Sequence, residues 1–143
     1  MSAGAELTTA RVERLLPVPP GDAYDAWVDA DRLQRFICPE PGTAQVAIDP
    51  RPGGSLRIVM AFPDRVRVIE GQYLALDRPH RLTFSWRPQW REPESVVTVS
   101  FEPRGGDETL MTIVHSQLPS ASVSDYQRGW GSVSAQLGGQ AGA

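Results

Sequence analysis

Three observations predict a single α+β domain in which a curved antiparallel sheet closes over one long C-terminal helix. Segments 94–102 and 109–118 alternate apolar with polar residues and are joined by a turn at Arg104-Gly105-Gly106-Asp107. Leu118-Pro119 ends the second of them, and 120–137 then reads as a helix carrying Tyr126, Trp130, Val133 and Leu137 on one side. Upstream, shorter alternating segments separated by Pro/Gly/Asp turns form a strand meander. Strands collected first and one apolar helix placed last imply a sheet with a single helical cover.

Residues 1–7 are small and polar and read as a flexible terminus. A first strand follows at 8–16, stopped by Pro17, Pro19 and Pro20 because proline cannot donate to the ladder. Pro19-Pro20-Gly21-Asp22 suits a helix start, and 23–28 places Tyr24, Trp27 and Val28 on one face, with another short turn of helix at 31–36. Residues 38–42 are a loop. Strands are then expected at 44–48, 55–62, 66–76 and 81–87, with a second loop at 88–93 containing Trp90. Leu56, Ile58 and Met60 share one face, as do Leu82, Phe84 and Trp86, and later Val97, Val99 and Phe101, then Met111, Ile113 and His115. The glycine-rich 138–143 caps the last helix and frays, leaving 8–138 as the folded domain. The sheet therefore has about six to seven strands.

Composition narrows the classes of function. At 143 residues the chain suits one domain that buries roughly two-thirds of its unfolded surface. The formal net charge is -3, with arginines scattered among acids, so the clustered basic stripe of a nucleic-acid binder is missing. The single cysteine, Cys38, cannot form an internal disulfide, and no signal-peptide pattern or membrane-length apolar run is expected. A cytoplasmic protein without a cofactor is the reading. One Cys and two His, on separate turns and strands, do not make a zinc site.

The order and spacing of several short motifs resemble those of the START-like (SRPBCC) helix-grip superfamily. More narrowly they resemble the family homologous to the C-terminal domain of the heat shock protein 90 ATPase activator. The pieces are Arg14 before Pro17 and Pro20, Tyr24 to Trp27, Asp49-x-Arg51-x-Gly53-Gly54, Gly71-x-Tyr73 and Arg81-Leu82-x-Phe84-x-Trp86. Glu94-Ser95-Val96-Val97-Thr98-Val99-x-Phe101, Thr109-x-Met111-Thr112-Ile113-x-His115, Leu118-Pro119 and Gly129-Trp130 complete the set. The resemblance spans about residues 9–138 and implies the helix-grip fold, while function within the family is loose. One departure is Tyr126, where many bacterial relatives carry a histidine; a site built on that imidazole would be absent.

Inward faces would bring together Trp27, Phe36, Met60, Tyr73, Phe84, Trp86, Met111, His115, Tyr126 and Trp130. These side chains suit either a filled core or the walls of an apolar cavity with a few polar tips, and the family resemblance shifts the balance toward the cavity. His115, on an apolar strand face, is a candidate acid–base group or a neutral structural histidine bonded to Tyr126 or a backbone carbonyl. Tyr126 is a second candidate. Glu70 is a third only if a bulge near Gly71 turns it inward; otherwise it faces solvent and pairs with Arg65 or Arg67. Arg14 and Arg57 could hold an anion if inward, with a surface or rim position as the alternative.

Three functional readings follow. First comes binding of a small apolar or aromatic ligand between sheet and helix. Second is a cyclase, hydrolase or isomerase using His115, Tyr126 and Glu70. Third, despite the family's name, is a co-chaperone-like interaction module, for which no surface run marks a docking face. A homodimer through the sheet's edge or face is a further expectation.

Overall fold

A computed structural model describes residues 7–39, 43–89 and 93–141. The expected loop positions 40–42 and 90–92, Trp90 among them, lie outside these, as do residues 1–6 of the expected flexible terminus. The chain runs β1 (Leu7–Leu16), α1 (Pro20–Asp25), α2 (Ala30–Leu33), β2 (Thr43–Ile48), β3 (Ser55–Ala61), β4 (Val66–Asp77) and β5 (Arg81–Pro88). It continues through β6 (Ser95–Pro103), β7 (Thr109–Pro119), a 3-10 turn at Ser120–Ser122 and α3 (Val123–Ala141). The seven strands form one sheet in the order β1-β7-β6-β5-β4-β3-β2, and every neighbouring pair described is antiparallel.

Alternation explains which faces the sheet buries. Leu56, Ile58 and Met60 of β3, Phe84 and Trp86 of β5, Val97, Val99 and Phe101 of β6, and Met111, Ile113 and His115 of β7 all turn to the concave side and are buried. Two bulges shift this parity. In β7 the extra residue is Gln117, at φ 63°, opposite the irregularity between Thr8 and Ala10. The buried row passes from His115 to Leu118 across it. In β4 the register slips between Tyr73 and Ala75. A bulge at Gly71 was the condition for turning Glu70 inward; the slip falls later, so Glu70 keeps the outward parity opposite Ile69, Gly71 and Tyr73.

Helix α3 buries Trp130, Val133 and Leu137 and leaves Tyr126 half-buried. It starts at Val123, after the 3-10 turn, and passes the expected stop at Leu137 through Gly138 and Gly139 to Ala141. Tertiary contacts carry the extra turn. Gly138 lies flat against Arg14 and Leu16, where an added Cβ would stand 3.7 Å from the Arg14 side chain. Gln140 Nε2 donates to the Arg35 carbonyl at 2.8 Å.

The helix does not bisect the sheet. It packs along β1 and, to a lesser extent, β7, where the Arg11 backbone and the Gln127 amide exchange hydrogen bonds. Helices α1 and α2 fill the space beside it at one end, and Asp29 caps α2 by accepting from the Asp31 and Arg32 N–H groups. Tyr24, Trp27, Leu33 and Phe36 enter the core from this layer.

Candidate functional site

Because α3 hugs the β1 side, its first half stands away from the β3–β4 hairpin, and a groove of about 450 Å³ opens between them. Its apolar floor and walls are Ile37, Met60, Trp86, Tyr126, Trp130 and Val133. Phe62, Arg65 and Arg67 come from the β3–β4 hairpin, Asp125 and Arg128 from α3, and Pro39 from the segment after α2. A volume of this size and a mainly apolar lining with a few polar groups are typical of small-molecule sites.

Of the ten side chains expected to line a cavity, four do: Met60, Trp86, Tyr126 and Trp130. The other six fill space instead. Trp27 packs edge-on against Phe36 at 5.1 Å between centroids, and Phe84 lies 6.4 Å from Trp27 and 6.3 Å from Tyr73. Met111 is fully buried among them. Burial also pushes the Tyr73 phenol above its ordinary pKa, and its hydroxyl donates to the Trp27 carbonyl at 3.2 Å. Trp27 Nε1 is the single buried side-chain N or O atom without a hydrogen-bond partner among the described residues.

His115 sits behind the groove wall with no exposed surface. Trp130 Nε1–H lies 2.9 Å from its Nδ1, and an indole can only donate, so Nδ1 carries no proton. The neutral ring then bears its proton on Nε2, which donates to Ser95 Oγ at 2.6 Å; Ser95 Oγ in turn lies 3.5 Å from the Trp86 carbonyl it donates to. An imidazolium would oppose two N–H groups across 2.9 Å. Burial alone holds its pKa down to about 3. The partners are thus Trp130 and Ser95 in place of the expected Tyr126 or carbonyl. Tyr126 meets the imidazole edge-on at 4.5 Å between ring centroids, while its hydroxyl accepts from Trp86 Nε1 at 3.2 Å. His115 is a rivet joining β7, β6 and α3 behind the groove wall.

Glu70 and Arg57 face the opposite side of the sheet and pair with each other at 3.6 Å, both well exposed. The expected partners Arg65 and Arg67 go elsewhere: Arg65 pairs with Asp64 at 2.8 Å and lies over the Phe62 ring, and Arg67 lines the groove. Arg14 is on the inward row of β1, but its Nε reaches Ser134 Oγ on α3 at 3.4 Å, outside the groove. Cys38 is buried, with its carbonyl accepting from Gln136 Nε2.

The sequence reading missed Ile37, Phe62, Arg65, Arg67, Asp125 and Arg128 as groove residues. For Arg67 the signal was present: it shares the odd parity of Ile69 and Tyr73 in β4, the same row already assigned inward. Ile37 and Phe62 sit at element ends, where periodicity carries little information.

A concave antiparallel sheet gripping one C-terminal helix, with short helices after the first strand, defines an α+β helix-grip protein. The chain belongs to the activator of Hsp90 ATPase homolog 1-like family, whose model matches residues 17–140. Among solved structures it is similar to protein CV1439 from Chromobacterium violaceum, with 26% identity, TM-score 0.86, and 94% of this chain and 97% of that one covered. Protein Ms6760 from Mycobacterium smegmatis (20% identity, TM-score 0.79, 94% of each chain) shares the fold. So does NE0264 from Nitrosomonas europaea (21% identity, TM-score 0.78, 92% of each). No curated protein matches the chain significantly.

Proposed function

We propose that this protein binds a small apolar or aromatic molecule in the groove between the first half of α3 and the β3–β4 hairpin. The observation that carries this reading is an open apolar space, lined by Met60, Trp86, Tyr126, Trp130 and Val133, directly beside a core packed solid by the same residue types. Aromatic walls supply dispersion and stacking over a large area, while Tyr126 adds a hydroxyl near the opening. Binding fits the site better than acid–base turnover, because His115 is sealed behind the wall and Glu70 is on the far face.

Titration with the neutral fluorophore N-phenyl-1-naphthylamine tests the reading. A saturable fluorescence increase is expected, lost in Gly129→Trp, which plugs the groove from a position where an added Cβ meets only Pro39 at 3.9 Å. An increase that never saturates, or one that survives the plug in a folded variant, would remove the groove as the site.

A further inference from the structure

Resting on that reading, we propose that Gly129 sets the shape of the ligand: a flat, fused-ring body that lies against bare helix backbone between Tyr126 and Val133. Position is the first reason. Tyr126, Gly129 and Val133 all line the groove and stand three and four residues apart, so they follow one another along a single face of α3. An aromatic ring stands at one end of this row and a branched side chain at the other. At Gly129, between them, the helix offers the groove only main chain, a notch one side chain deep. The next residue, Trp130, directs its indole N–H away to His115, behind the groove wall. Length matches a fused ring system. Tyr126 and Val133 stand about 10 Å apart along the helix axis at 1.5 Å per residue, a gap that two fused rings fill and a single ring does not.

The second reason is energetic. Glycine in a helix interior is destabilising relative to alanine, because it loses more backbone freedom on folding. Packing does not demand it here. Beyond its own helix, an added Cβ at Gly129 meets only the Pro39 ring among the described residues, at 3.9 and 4.0 Å, which are ordinary van der Waals contacts. Alanine would therefore fit the fold and strengthen the helix, and what it would fill is space that belongs to the groove. Gly131, two residues on, carries the same helical penalty but is not among the residues lining the groove, so it serves as an internal control.

Calorimetric titration with N-phenyl-1-naphthylamine and with diphenylamine, which differ by one fused ring, tests the assignment. The parent chain is expected to bind the naphthyl compound about tenfold or more tightly, since its second ring buries more apolar area. Gly129→Ala should weaken that compound about tenfold, because the added methyl overpacks the notch, and leave diphenylamine within about twofold. Gly131→Ala should change neither affinity. A Gly129→Ala chain that keeps the parent's ratio, by weakening both compounds or neither, would overturn the role of Gly129 and leave the apolar groove standing. If neither compound binds the parent chain, groove and notch fall together. Gly129→Ala should also raise the melting temperature by about 2–4 °C. A fall instead would show that the glycine serves packing, and would overturn the proposal.

Discussion

Trp130 has a different kind of space on each side of its indole. Toward α1 and α2 it faces Trp27, at 6.2 Å, and beyond that the interlocked rings of Phe36, Phe84 and Tyr73. Toward the β3–β4 hairpin it meets Trp86, at 5.3 Å, and then open groove. Both sides are built from aromatic and aliphatic residues on inward parities. The difference lies in what covers them. The sealed side receives two short helices whose own apolar faces close the sheet. The open side has only the first half of α3, a helix held to β1 by Arg11 at Gln127 and, in its second half, by Arg14 and Leu16. A pocket in this fold is thus the place where the second layer runs short, and residue type does not mark it.

Removing the shared wall should have the largest effect. Trp130→Ala is expected to lose about 4 kcal/mol in urea unfolding, since it opens a cavity between both regions and strips His115 Nδ1 of its donor. Phe36→Ala separates the regions: about 3 kcal/mol of stability should go, while the affinity for N-phenyl-1-naphthylamine stays within about twofold. A matching loss of affinity would mean that the sealed and open sides behave as one cavity.

The histidine rivet gives a pH signature. The unfolded chain takes up a proton on this side chain below its ordinary 6.5, whereas the folded chain refuses it until about 3. Stability is therefore full above that upper value and falls as pH drops through the window, at up to about 1.4 kcal/mol per unit. Between about pH 6.5 and about pH 5, before most carboxylates titrate, the loss should reach about 1.6 kcal/mol. His115→Gln should flatten that slope; an unchanged slope would assign it to other groups. Gly131→Ala is the smallest expected change. An added Cβ there meets nothing within 4 Å, so the helix should gain about 0.5–1 kcal/mol with ligand binding unaltered.

Much of this was legible from residue order. The strands from β3 onward begin and end within about two residues of the segments read from alternation, and the parity of Met111, Ile113 and His115 placed the histidine inside. The helical spacing of Trp130, Val133 and Leu137 likewise chose the buried face of α3. The partners of His115 were not legible. They depend on Ser95 meeting Nε2 across β6–β7 while an indole from α3 reaches Nδ1, a coincidence of three elements separated by 15 to 20 positions. Glu70 was ambiguous for a related reason. A glycine within a strand suggests a bulge, yet Gly71 serves a close approach, an added Cβ there standing 2.0 Å from the Ser85 carbonyl oxygen, and the register slips only after Tyr73.

By itself the sequence determined the elements, their order and the face that each one buries, because alternation and helical spacing are local properties of the chain. The tertiary structure alone decided where the interior is solid and where it is open. That outcome depends on how far α3 leans toward β1 and on which end α1 and α2 cover, distances set by packing between residues remote in the chain. Arg67 illustrates the division. Its parity fixes it on the concave side, and only the gap between helix and hairpin turns that position into the rim of a groove.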